Sequence, residues 1–232
     1  MTGRVLIPEL CVRDVDAAAA MLVHVFGFAP EGTPNRLRLG AQLVQLRSVE
    51  RPPGHGVIDH VAIAVADVTE ALAAAKARGG VLDAQVTPDG PLFIQEFWGQ
   101  GTHYVFLEGP EGSRIELCAR PGPGQRPVPG HDHTGIACRD LPAMCTFLKS
   151  LGLVDVAETT LIRPDGDVPV CFLSLPNPAG GALVELYSPP DLRAGRSVQS
   201  AEPFWRRLIL LGAETTDDLA GPEGIVVSRL AR

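Results

Sequence analysis

Two stretches decide the reading of this chain: His60-Val-Ala-Ile-Ala-Val-Ala-Asp67-Val68 and His133-Thr-Gly-Ile-Ala-Cys-Arg-Asp140-Leu141. Each sets a His seven residues before an Asp, with an apolar, strand-like run between them. Each Asp then opens a helical segment that closes at glycine, Asp67 to Gly80 and Asp140 to Gly152. An Asp there accepts hydrogen bonds from the free N–H groups of the first turn, and a Gly supplies the left-handed exit. Asp14 to Gly27 repeats this punctuation around VDAAAAMLVHVF, after the strand-like VLIPELCV. Ser200 to Gly212 repeats it around AEPFWRRLILL, with Pro203 tolerable in a first helical turn. Four short helices are therefore expected.

Behind each helix run short β-like segments broken by Gly and Pro. They end alike, in GPEG (109–112) before SRIEL, NPAGG (177–181) before ALVEL and GPEG (221–224) before IVVSRL, with a related LG (39–40) before AQLVQL. The repeating unit is strand, helix, then two or three strands. It occupies about 4–48, 57–120, 131–188 and 196–232, the last without a convincing first strand. The fold class is α+β, with three full modules and a shortened fourth. The Pro/Gly-rich stretch Pro121 to Gly130 reads as a linker between a domain at 1–120 and another at 131–232.

A period-2 strand buried on one face should carry few ionisable groups there. The second module breaks this rule with His60 in its first strand and Glu116 in its last, and the third with His133 and Glu185. The equivalent places in the first module hold Ile7 and Gln45; the fourth has no His at the right distance and Ser228 in place of the Glu. Joint retention in two modules and joint loss in the others point to one site between modules two and three, with a decayed counterpart between one and four. Two imidazoles and two carboxylates, without sulfur, suit Zn, Ni, Co, Mn or Fe(II) with coordination positions left open.

The repeated H-x-x-I-A-x-x-D-[VL] start, the capped helix and the [GN]-P-x-G…[IV]-E-L end resemble the vicinal oxygen chelate superfamily: glyoxalase I, bleomycin-resistance proteins and extradiol dioxygenases. The resemblance covers nearly all of 4–188 and more weakly the remainder. It implies paired βαβββ modules forming a cup around a divalent metal, with the ligand positions falling on His60, Glu116, His133 and Glu185. Ile7 and Ser228 depart from the pattern and argue against a second metal site.

A metal-dependent lyase or isomerase of glyoxalase type follows as the first expectation. It would bind vicinal oxygens of a small substrate and pass through an enediolate or enolate, with Glu116 or Glu185 moving the proton. An extradiol-type Fe(II) dioxygenase, assisted by His103 or Tyr104, is the second. A metal-free binding protein of the bleomycin-resistance kind is the third. Its pocket would be roofed by DGPLFIQEFWGQGT (89–102), whose Phe93, Phe97 and Trp98 could stack a planar ligand. Phe97, Trp98 and His103 are thus the candidate substrate contacts. His24, His55 and His131 read as packing or loop residues, and Arg206 and Arg207 as the solvated face of a last helix. Glutathione dependence is not legible.

Composition narrows the partners. The 232 residues carry 20 Lys plus Arg against 27 Asp plus Glu, a net charge of −7, which argues against nucleic acid and anionic membranes. The longest apolar run, Ala17 to Ala29, falls short of the roughly 20 residues that span a bilayer. No basic-then-apolar leader opens the chain, and the five cysteines form no CxxC pair. A cytoplasmic protein, acting on a small molecule and fit to form a homodimer, is expected.

Overall fold

A computed structural model describes residues 4–122, 128–176, 183–195 and 200–231. The NPAGG motif (177–181) and the middle of the 121–130 linker lie outside the described residues.

The first module is β1 (Val5–Val12), α1 (Val15–Phe26), β2 (Ala29–Pro30), β3 (Arg36–Leu39) and β4 (Gln42–Ser48). The second is β5 (Ile58–Ala64), α2 (Val68–Ala77), β6 (Val81–Leu82), β7 (Leu92–Ile94), β8 (Thr102–Glu108) and β9 (Arg114–Ala119). The third is β10 (Gly130–Ala137), α3 (Leu141–Ser150), β11 (Val154–Leu161), β12 (Val168–Ser174), β13 (Leu183–Tyr187) and a single turn, α4 (Pro190–Arg193). Asp14, Asp67 and Asp140 cap α1, α2 and α3 as read, accepting from the N–H groups of Ala17, Glu70 and Ala143. In α1 the buried residues Ala18, Leu22, Val25 and Phe26 fall at helical spacing on one face, which packs into the main apolar core.

The fourth module corrects the sequence reading. The segment taken as a capped helix from Ser200 to Gly212 is a strand, β14 (Trp205–Ala213), followed by β15 (Asp217–Ala220) and β16 (Val226–Ala231). The module thus has the first strand it was thought to lack, and no helix follows it. Tertiary pairing overrides helix propensity here: β14 runs antiparallel to β1 and parallel to β16. Leu208 and Leu210 alternate into the main core, while Ile209 joins Ile7 and Leu43 in a cluster on the opposite face.

The strands join two curved halves. β5 and β10 pair antiparallel at the centre of one, β1 and β14 at the centre of the other, and the strand pairing of Trp205 with Ile58 makes the sheet continuous between them. Modules two and three therefore share one cup, and modules one and four share the other.

The two GPEG turns hold the modules together in the remaining direction. Glu111 and Glu223 both sit in the left-handed region, at φ 56°. Glu111 accepts from the backbone N–H groups of Arg13 (2.8 Å) and Asp14 (3.0 Å), at the start of α1. Glu223 does the same for Arg139 (2.7 Å) and Asp140 (3.0 Å), at the start of α3. Each carboxylate satisfies donors that a helix leaves open and lies at the positive end of its dipole.

Candidate metal centre

His60 lies on β5, Glu116 on β9, His133 on β10 and Glu185 on β13. Register explains why they meet. Parallel pairing sets Glu116 opposite Ala62, two residues beyond His60, and Glu185 opposite Gly135, two residues beyond His133. The antiparallel β5/β10 pair then brings His60 across from Gly135 and His133 across from Ala62. All four side chains thus project from one face of the sheet toward a common point, from positions far apart in sequence.

The four residues are buried, and their ligand atoms lie within 4.8 Å of one another. His60 Nε2 stands 3.1 Å from His133 Nε2 and 3.1 Å from Glu116 Oε2. His133 Nε2 stands 2.8 Å from Glu185 Oε2 and 3.5 Å from Glu116 Oε2. Donor atoms held about 2.0–2.2 Å from one divalent ion are themselves roughly 3–4 Å apart, a spacing close to that of this set, which could hold such an ion.

The far side of each imidazole is also occupied. Asp59 Oδ2 lies 3.0 Å from His60 Nδ1, and Asp132 Oδ1 lies 2.9 Å from His133 Nδ1. A carboxylate on Nδ1 fixes the tautomer and turns the Nε2 lone pair toward the cluster. Arginines hold these carboxylates in turn: Arg114 bonds Asp59 at 2.8 Å and Asp83 at 3.0 Å, and Arg120 bonds Asp132. The sequence carried a signal for this layer that the strand reading passed over, since an Asp immediately precedes each His.

Electrostatics follow the geometry. Burial opposes charge on His60, but the Asp59 hydrogen bond and the Glu116 carboxylate outweigh it and raise its pKa to about 9. Burial would raise Glu116, yet the two imidazoles beside it hold it down to about 2. His133 is raised well above its usual value, against its burial, by Glu185, Glu116 and Asp132. Glu116 thus stays ionised beside two imidazoles that are held charged, and the arrangement offers negative charge that a divalent cation could also meet.

No protein-family profile matches this chain, and no curated protein matches it. Solved structures do match. Glyoxalase I from Zea mays superposes with a TM-score of 0.74 at 17% identity, over 98% of this chain and 92% of that one. A mutant of the same maize enzyme gives 0.71 at 17% identity, over 99% and 94%. The chain has the fold of glyoxalase I.

In this glyoxalase fold a cavity of about 270 Å³ opens beside His60, Glu116 and Glu185. Phe97 lines it and packs edge-on against Phe172, with ring centroids 5.2 Å apart. Trp98, an expected substrate contact, is not among the residues that line the cavity; its ring lies tilted against Phe172, with centroids 4.6 Å apart, under the Arg120 guanidinium. His103, another expected substrate contact, is not brought to the cavity either. It is exposed and rests on Phe93, because alternation along β8 turns Tyr104 and Phe106 toward the cavity and His103 away. Tyr104, Tyr187 and Arg114 line the cavity, and none was singled out there as a substrate contact from the sequence.

His24 is exposed, His55 packs on Phe204, and His131 bonds Gln42 and accepts the Leu183 N–H at 2.9 Å.

The outer cup keeps the register and changes the chemistry. Glu9 pairs with Gln45 and Ile209 with Ser228, so the places of the two imidazoles fall to Ile7 and Arg207. Arg207 therefore does not lie on a solvated helix face. Its guanidinium reaches Glu9 at 2.9 Å and Ser228 at 2.8 Å. No set of metal-ligating side chains forms there among the described residues.

Proposed function

We propose that this chain is a metal-dependent lyase or isomerase of glyoxalase type. Its substrate is a small molecule with vicinal oxygens, bound in the cavity beside His60, Glu116, His133 and Glu185. The observation that carries this reading is the four-donor cluster itself, buried, mutually spaced for one ion, and backed by a carboxylate on each imidazole. A divalent ion held there would polarise the substrate oxygens and acidify the neighbouring C–H. The chain's own part is proton movement. Glu116 and Glu185 each face the cavity, and either can take a proton from one carbon and return it to the next. Phe97 and Phe106 wall that cavity and exclude water.

An extradiol dioxygenase fits less well. Fe(II) oxygenases of that kind use two His and one carboxylate, leaving positions for oxygen and substrate, whereas here a second carboxylate takes one of them. Of its two expected assistants, His103 is turned away from the cavity, while Tyr104 lines it.

Metal analysis tests the reading. Purified protein should carry about one divalent ion per chain, and the double variant His60→Ala, His133→Ala should carry almost none. Full metal content in the double variant, or none in the parent, would overturn it; the latter would favour a metal-free binding protein.

A further inference from the structure

We propose that the cavity takes a small, uncharged, largely apolar substrate, and that Arg114 sets this specificity by being withheld as an anion receptor. This deepens the reading above and rests on the cluster being the reacting end of the cavity.

At about 270 Å³ the cavity falls just below the roughly 300–1,000 Å³ usual for drug-sized ligands, yet well above the roughly 150 Å³ that encloses a benzene ring. Away from the cluster its walls are apolar: Ile94, Phe97, Leu161, Val168 and Leu192. Among the described lining residues the one permanently charged cation is Arg114. It is spent twice, on Asp59 at 2.8 Å and on Asp83 at 3.0 Å, so that its charge is balanced within the cavity wall. Neighbouring arginines are committed as well, Arg163 to Glu96 at 2.7 Å and Arg120 to Asp132. An anionic substituent pointing away from the cluster would therefore lose its hydration, meet no free cation and face Asp59. Neutral polar groups are served differently, by the phenols on the cavity wall, Tyr104 and Tyr187, the latter hydrogen-bonded to Asp59. A planar or branched apolar body carrying neutral oxygens matches every wall; a peptide conjugate with free carboxylates matches none.

The test compares matched probes by calorimetry on the zinc-loaded chain. Benzohydroxamic acid and its 4-carboxy derivative share one chelating group and differ in one distal charge. Benzamide and 4-carboxybenzamide repeat the comparison without the strong chelating group. The neutral member should bind at least tenfold more tightly in both pairs. In Asp83→Asn, which returns part of the Arg114 charge to the cavity, the gap should shrink at least threefold. Equal or tighter binding of the carboxylated probes, or no binding of either neutral probe, overturns the proposal. Metal content measured on the same samples reports separately on the cluster, because the benzamide preference does not require an ion.

Discussion

Gly135 shows how much one missing side chain supports. It lies across β5/β10 from His60, and a Cβ there would overlap the His60 ring. Gly135→Ala should therefore tilt the imidazole and cost about 1–3 kcal/mol of overpacking. Metal affinity should fall roughly 10- to 100-fold, the loss typical when a ligand's support is disturbed. Titration with a competing chelator measures that, and unchanged affinity would show that the ring has room to move. Arg207 carries a second residue-scale prediction. Arg207→Leu leaves the Glu9 carboxylate, 3% exposed, with Arg47 at 4.0 Å as its remaining ion-pair partner among the described residues. It should cost of order 2–4 kcal/mol, whereas adding Glu9→Gln should restore part of the loss, because an unpaired buried charge costs more than an absent pair. Denaturant melts of the single and double variants decide this, and a double variant no more stable than the single would refute it. The four cluster residues were legible because a repeat aligned them. Gly135, Arg114 and Tyr187 were not, since a glycine that makes room, or an arginine that is neutralised, shows its role only through its neighbours.

At the scale of elements, the helices α1, α2 and α3 were readable from their capping Asp residues, whereas β14 was not. WRRLILLGA contains no proline and has enough Leu and Arg to pass for a helix, and its strand identity comes from β1 and β16 on either side. The GPEG turns were visible as a repeated motif, but their purpose was not, because the helices they cap begin nearly 100 residues away for Glu111 and more than 80 for Glu223. Removing either carboxylate opens two backbone donors, so Glu111→Ala and Glu223→Ala should each lower stability by about 1–2 kcal/mol. Glu111→Gly should lose less than Glu111→Ala, since glycine relieves the left-handed conformation at φ 56°. Thermal melts rank the variants; equal losses would mean that the backbone strain there is negligible.

At the scale of the whole molecule, four contacts follow one another around the modules. Glu111 fastens the second to the first, β5/β10 joins the second to the third, Glu223 fastens the fourth to the third, and β1/β14 joins the fourth to the first. Each module is therefore gripped on two sides. A chain cut into independent domains would melt in separate steps, but a closed circuit of this kind should melt as one. Scanning calorimetry should give a single peak whose van't Hoff and calorimetric enthalpies agree, and two resolved peaks would break the circuit argument. The shortened fourth module gains a meaning from this. It has shed a helix and both ligand positions, yet deleting it would unclamp α3 and strip β1 of one of its two strand partners at once. It survives as a keystone survives in an arch whose doorway was bricked up, held in place by what leans on it.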